Sequence, residues 1–482
     1  METKRKTRDG HARKSKPGKP AKIEQAEVPP PTPAQPPFDA KAKADELRIW
    51  AVSGKDRYVE MPAPGEPAHA PALSLGRDDV KMRFRRAGVE NRAMQDELLI
   101  HIQKERAVDF AGELAGWKVG VQPVSFGRIA ITRSFRLVEP CAGEWPVIRA
   151  FVDSWFDDAD EPQLDYFLAW IQTAIVTLRA GVRSRPGFLL AQVGPSNCGK
   201  TFAQRHLITP LLGGRFTDPL PWLLGGETFN DDVARAEALM ISEMRGCKVD
   251  ATSRADLGEA FKTLLVNPDM RIRAPYAGAV NAETFRRVCV ALNNEVDRMK
   301  VFPPLAAGFA DKVLMLLHRA PVLPLTDSAD SWTALEKAIA RELPAFAHYI
   351  ENEWQIPARL RVGADIGRFG FRHYIHPTLS AELFEQEPEN HLLHLLDGTP
   401  EIWTRNPAEK GEGRDSWGWG KAEDLREIVF AGPRAEQAKR AFPHSGGFAQ
   451  YLGKLATRMP ARFQKKHTNA GNVWMLHPSA VG

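Results

Sequence analysis

Phe188-Leu-Leu-Ala-Gln-Val193 followed by Gly194-Pro-Ser-Asn-Cys-Gly199-Lys200-Thr201 is the stretch that decides the fold. Six mostly apolar residues read as a buried strand. The next eight match GxxxxGK[ST], a loop whose backbone N–H groups curl around a phosphate. The pattern assigns Gly194, Pro195, Ser196, Asn197, Cys198, Gly199, Lys200 and Thr201 to ATP binding. Lys200 would neutralise the β- and γ-phosphates, and the Thr201 hydroxyl would coordinate Mg²⁺. A helix starting at Lys200 would aim its positive end at the same phosphates. Cys198 falls at a variable position and gets no redox role.

A phosphate loop of this kind needs a second strand that carries an acid. Ala238-Leu-Met-Ile-Ser-Glu243 supplies one, with Glu243 placed to hold the Mg²⁺-bound water. A third strand, Arg287 to Leu292, runs into Asn293-Asn294. An amide at that tip, Asn293, can orient the attacking water and sense the γ-phosphate. Between these strands Lys262 to Gly278 reads as a helix, a strand with alternating Arg271 and Arg273, and a turn near Tyr276. That is the pattern of a basic hairpin. Strands alternating with helices predict an α/β domain with a largely parallel sheet.

GPSNCGKT, then ALMISE, then the Lys262–Tyr276 segment, then VCVALNN, in this order and spacing, resembles a superfamily 3 helicase ATPase of the phage and prophage primase-helicase type. Pro210-Leu-Leu-Gly-Gly214, Thr228-Phe-Asn-Asp231, Phe302-Pro-Pro-Leu305 and Asp311-Lys312 are similar as well. So are Glu105 to Ala111 and Ile131-Thr-Arg-Ser134 upstream. The likeness spans roughly residues 46 to 482 and is strongest over 165–320. It implies an AAA+-like core, a homo-hexameric ring with ATP between subunits, and DNA in the channel. By matching position it implies Lys200, Thr201, Glu243 and Asn293 in the cis site. Lys262 falls in the motif after the acidic strand. Lys312 would act in trans on the neighbour's γ-phosphate, with Arg298 and Arg319 as weaker candidates. One departure stands out. The family usually carries two adjacent acids, and here the second position is Met244. Asp250 is the nearest stand-in.

Charge is unevenly spread. Residues 1–37 carry +5 and residues 434–482 carry +7, which leaves −7 for the rest of a chain of net charge +5. Two basic ends on an acidic body point to a polyanion partner. At 482 residues, 43% hydrophobic and 26% charged, the chain is neither disordered throughout nor a disulfide-stapled miniprotein. Four scattered cysteines without a CxxC pair predict a reduced, cytoplasmic protein, and the phage-type resemblance implies a bacterial host cell. The longest mostly apolar stretch, Phe167 to Leu178, is too short to span a bilayer, and no apolar leader core follows the N-terminal Lys4, Arg5, Lys6 and Arg8.

The expected division is a basic, proline-rich disordered tail (1–44), a small N-terminal α+β domain (45–140), a helical linker or collar (141–185), the ATPase (186–325), a helical region (326–399) and a winged-helix-like DNA-binding domain (400–482). In that last part Leu425, Ile428 and Val429 mark one helix. Phe448, Leu452, Leu455 and Met459 mark a second, with Lys454 and Arg458 off its apolar face and available to DNA. Arg462 to Leu476 reads as a hairpin carrying Lys465 and Lys466. His373, His376, His391 and His394 have no neighbouring cysteine and read as ordinary histidines rather than zinc ligands. About 100 ordered residues before the linker are too few for a primase catalytic domain, so any primase or initiator would be a separate partner. The expected activity is an ATP- and Mg²⁺-dependent replicative DNA helicase acting on single-stranded and forked duplex DNA. A DNA-binding switch ATPase or loader with weak hydrolysis, and a small-molecule kinase using the same loop, are the alternatives.

Overall fold

The computed structural model describes residues 38–477, apart from 68–69, 126, 249, 275–277, 300, 306–307, 323–328, 387, 404–417, 443–444 and 470. Its centre is a six-stranded sheet built from β1 (Leu189–Gly194), β2 (Phe216–Thr217), β3 (Ala238–Ile241), β4 (Arg287–Asn293), β5 (Val313–Leu317) and β6 (Tyr374–Ile375). The order is β6-β5-β1-β4-β3-β2, and every pairing is parallel. Parallel strands covered on both faces read as unbroken apolar runs rather than alternating ones. That is why β1, β3 and β5 are buried along their whole length. The sequence had marked the strands β1, β3 and β4; β2 and β5 were not read from it, and β6 comes from the region 326–399, which the sequence presented as helical.

Two apolar layers cover the sheet. One face packs helices α1 (Pro146–Trp155), α2 (Gln163–Arg179), α3 and α5 (Ala329–His348), with Trp155, Trp170 and Phe188 fully buried among them. Helix α3 runs through Lys200–Ala203, a π-helical turn Gln204–Ile208 and Thr209–Leu211. Residues 141–185 are thus a layer of the core and not a linker: Trp170 donates its indole N–H to the Phe188 carbonyl at 2.8 Å. The other face packs α4 (Ala251–Val266) and the hairpin Asp269–Ile272/Val280–Glu283 through Phe261, Met270 and Ile272.

The N-terminal part combines helices with two small sheets. A four-stranded sheet and the helices Ala40–Leu47, Arg77–Arg86 and Arg92–Glu105 share one small core. Of the tail expected over 1–44, residues 1–37 lie outside the described residues, and the end of it is helical: Asp39 caps the helix Ala40–Leu47 by accepting from the N–H groups of Lys41 and Ala42, both at 3.0 Å. A second, three-stranded sheet (Phe110–Gly112, Gly120–Val124, Gly127–Ile131) adjoins it. A buried ion pair keys this part to the central sheet. Arg215 grips the fully buried Glu237 with two nitrogens and also reaches Glu113, while Glu237 accepts from the Gly116 N–H at 2.9 Å. Burial pushes the Glu237 carboxyl up even so.

The C-terminal part combines α7 (Ala422–Ala431), α8 (Ala435–Ala441) and α9 (Ser445–Arg458) with the antiparallel strands Gly418–Gly420, Phe463–Thr468 and Gly471–Leu476. Its core also contains Leu392, Leu395 and Leu396 of α6 (Pro388–Asp397), so this unit starts near 388 rather than 400. Among the described residues no helix is long and apolar enough to cross a membrane.

Candidate functional site

β1 ends at Gly194, and the chain must turn at once to feed α3. Gly194 admits no side chain: a Cβ there would lie 2.6 Å from the His318 carbonyl oxygen and 3.0 Å from the Cys198 sulfur. Asn197 and Gly199 take positive φ (64° and 87°), which curls the loop back before Lys200. Pro195, Ser196 and Asn197 stand exposed on its crest, and Cys198 is buried beneath. Trp155 braces the loop by donating its indole N–H to the Cys198 carbonyl at 2.7 Å, and its ring stacks on buried His318 at 3.9 Å. His318 in turn donates its backbone N–H to Val193. Burial and the nearby Lys200 cation hold the imidazole well below its ordinary pKa, hence neutral.

The Lys200 ammonium is buried and donates to the Gly194 and Pro195 carbonyls at 2.8 and 2.6 Å and to the Cys198 sulfur at 3.4 Å. Desolvation lowers its pKa from the usual lysine value. Among the described residues no carboxylate pairs with it directly, although the Glu295 charge acts on it from farther off, and a cation so held suits an incoming anion.

Four candidate residues meet in one cleft of about 960 Å³: Lys200, Thr201, Glu243 and Asn293. The topology explains the meeting. β4 lies between β1 and β3, and Asn293 pairs with Gly194 in register. The tips of three adjacent parallel strands therefore open on the same side. Glu243 follows β3 directly and is exposed; a hydrogen bond from Arg245 holds its carboxyl below the usual carboxylate range. Met244 lines the same cleft and leans on the apolar layer beneath it. Asp250 does not line it. Its carboxylate caps α4 by accepting from the Ser253 N–H at 2.9 Å. The cleft's donors are hard oxygens, the Thr201 hydroxyl and the Glu243 carboxylate, which fit a magnesium ion carried in with phosphates. Among the described residues no group of three or more His, Cys, Asp or Glu side chains could hold a metal by itself.

Lys312 lies elsewhere. It precedes Val313, which pairs with Leu189 at the far end of β1, about 16 Å along the strand from the loop. There its ammonium donates to the Gly308 carbonyl at 2.8 Å and to Asp311. Lys262 of α4 approaches the same Gly308 and pairs with Glu259. Arg298 lines the cleft in this chain, and Arg319 is tied by its side chain to the Ser154 carbonyl.

Arg271 and Arg273 are exposed on the hairpin that follows α4. Among the described residues the contacts that hold them run through their backbones. Asn230, buried, donates its amide to the Arg271 carbonyl at 3.0 Å and accepts from the Arg273 N–H at 2.7 Å. Trp117 holds the other leg through the Glu283 carbonyl at 2.6 Å. Tyr276 lies outside the described residues. In the C-terminal unit Lys454 pairs with Glu389 at 2.6 Å, and Arg458 donates to the Asn390 side chain at 3.1 Å. Both were expected to face DNA, but both are engaged by α6. Lys465 and Lys466 are exposed on the hairpin, Lys465 with its ammonium 5.6 Å from the Trp474 ring centre.

No protein-family model matches the chain, and no curated protein matches it. Solved structures do. The NrS-1 C-terminal region in its A-form apo structure superposes with a TM-score of 0.54 at 11% identity, over 92% of this chain and 100% of that one. Another apo structure of the same region gives 0.55 at 11% identity, over 91% and 98%. A structure titled SCCmec type IV Cch, an active helicase, reaches a TM-score of only 0.30 at 10% identity and carries no argument about this fold. Nearly the whole described chain therefore shares its fold with the NrS-1 C-terminal region.

Proposed function

We propose that the protein is a nucleoside-triphosphate-driven DNA helicase or translocase of the superfamily 3 type, using ATP and Mg²⁺ and working as a homo-hexameric ring in replication of a phage or mobile element. The observation that carries the reading is the convergence of Lys200, Thr201, Glu243 and Asn293 on one cleft at the tips of three adjacent parallel strands. These residues are 42 to 93 positions apart, apart from the Lys200–Thr201 pair, and roles in phosphate, metal and water contact account for why those types meet there. Lys200 would bind the β- and γ-phosphates, Thr201 and Glu243 would hold the magnesium, and Asn293 would orient the attacking water. Lys312, buried at the far edge, cannot serve its own cleft and fits a role on a neighbouring subunit. The exposed Arg271 and Arg273 would line the channel and contact the DNA backbone. The C-terminal helices and hairpin would form a winged helix with Lys465 and Lys466 on its wing.

A second reading has a specific observation behind it. Met244 occupies the position of a second acid, and Asp250 is engaged as a helix cap, so a DNA-binding switch ATPase with slow hydrolysis fits the same cleft. The deciding measurement is ATP turnover of the purified protein with and without single-stranded DNA, followed by strand displacement on a fork. DNA-stimulated turnover with unwinding supports the helicase. Stimulated but slow turnover without unwinding favours the switch. Turnover indifferent to DNA removes both and leaves the small-molecule kinase.

A further inference from the structure

Besides the phosphate-binding residues, the cleft is lined by an apolar group, Phe151, Phe202, Pro321, Trp332 and Leu335. We propose that Trp332 is the stacking platform for the base of the bound nucleotide, and that the site thereby favours purine over pyrimidine nucleotides. The proposal rests on the nucleotide-binding reading above.

Trp332 is 45% exposed, and among the described residues it is the only tryptophan found as an exposed large apolar side chain. An exposed indole inside a concave cleft is unlike one scattered on a convex surface: its face is available to a ligand and to little else. One neighbour is Phe202, with ring centres 5.8 Å apart and planes tilted by 60°. Phe202 follows Thr201 directly, so the helix that carries the phosphate loop's threonine also carries the ring that packs against Trp332, and both open on the same cleft.

The platform is also rigid. Helix α5 is buried through Leu335, Ile339, Leu343 and Phe346. Its Glu342, itself buried, accepts the N–H groups of Val147 and Ile148 at 2.9 and 3.0 Å and so caps α1. An indole held on such a helix loses little freedom when a base stacks on it. Stacking is indifferent to the pattern of donors and acceptors on a base but grows with ring area, which is why it selects purine over pyrimidine without reading adenine itself.

The test compares two ligands on the full chain, ATP and inorganic tripolyphosphate, by equilibrium binding. Trp332→Ala should weaken ATP roughly ten- to a hundredfold while leaving tripolyphosphate unchanged. Trp332→Phe should keep most of the ATP affinity. The wild type should bind ATP and GTP more tightly than CTP and UTP, and Trp332→Ala should erase the difference. Lys200→Ala should weaken both ATP and tripolyphosphate, which tests the phosphate subsite separately. Equal loss of both ligands in Trp332→Ala, or no change in either, overturns the platform while the Lys200 result leaves the nucleotide reading standing. A wild type that binds neither ligand overturns both.

Discussion

Lys200 and the pair Arg271/Arg273 sit in one domain but are held in opposite ways. The lysine is buried and its ammonium is fixed by two carbonyls of its own loop. The arginines are exposed, and among the described residues the contacts that hold them run through their backbones, to Asn230. A desolvated cation in a fixed place suits one anion in one geometry. Exposed guanidiniums on a rigid hairpin keep their water and can follow any passing phosphate. Under the proposed function, the difference would separate a site that does chemistry from a surface that holds a polymer.

Breaking the first kind of site should have the largest effect. Lys200→Ala is expected to lower ATP turnover by at least a hundredfold, since its charge acts on the transferring phosphoryl group. The thermal unfolding midpoint should change little, because Lys200 contacts loop carbonyls and not the apolar layers. Turnover equal to wild type, measured by phosphate release, would remove the ATPase assignment.

The acidic tip of β3 comes next. Glu243→Gln is expected to cost roughly a hundredfold or more in turnover through loss of metal and water positioning. Met244→Glu is expected to raise basal turnover, because the new carboxylate would enter the same cleft one residue beyond Glu243. Steady-state rates of the two variants side by side settle whether the missing acid limits hydrolysis. A Met244→Glu rate at or below wild type means that another group already serves as the base.

The cleft was legible in the sequence because each of its parts is a local pattern at the end of an apolar run. GPSNCGKT, ALMISE and VCVALNN each announce a strand and the polar residue at its tip, and a parallel sheet aligns such tips. Contacts between distant segments left no such mark. Trp155 braces Cys198 from 43 residues away, and Arg215 binds Glu113 and Glu237 across 102 and 22 residues. The strand β6 is only two residues long, too short for periodicity to reveal it. The partners of Lys454 and Arg458 were hidden for a related reason. Helical spacing gives the face on which a residue lies, but not the carboxylate and amide that a neighbouring helix brings to it.

Replacing both Arg271 and Arg273 by Ala should have a graded effect, not an absolute one. Each exposed guanidinium that releases a counterion adds about 0.7 to the salt slope on a single strand. The double variant should therefore bind single-stranded DNA more weakly and flatten the slope of log K against log salt by about one to two. Turnover without DNA should stay near wild type, since the hairpin does not line the cleft. An unchanged affinity and slope would make this hairpin merely structural and dissolve the contrast with Lys200.

The smallest expected effect divides the C-terminal cations among themselves. Lys465 and Lys466 alternate along an exposed strand, whereas Lys454 already has Glu389 at 2.6 Å. A lysine paired with a carboxylate contributes little net field to a distant phosphate, and separating the pair to reach DNA would forfeit that contact. Lys465→Ala with Lys466→Ala should thus reduce duplex-DNA affinity severalfold at low salt, while Lys454→Ala should change it by less than about twofold. Glu389→Gln sharpens the contrast: releasing Lys454 from its partner should raise duplex affinity slightly and steepen the salt slope. Titration of labelled duplex by anisotropy at two salt concentrations reads all three variants. If Lys454→Ala instead weakens binding as much as the hairpin pair does, α9 and not the hairpin is the main DNA-contacting element of this unit.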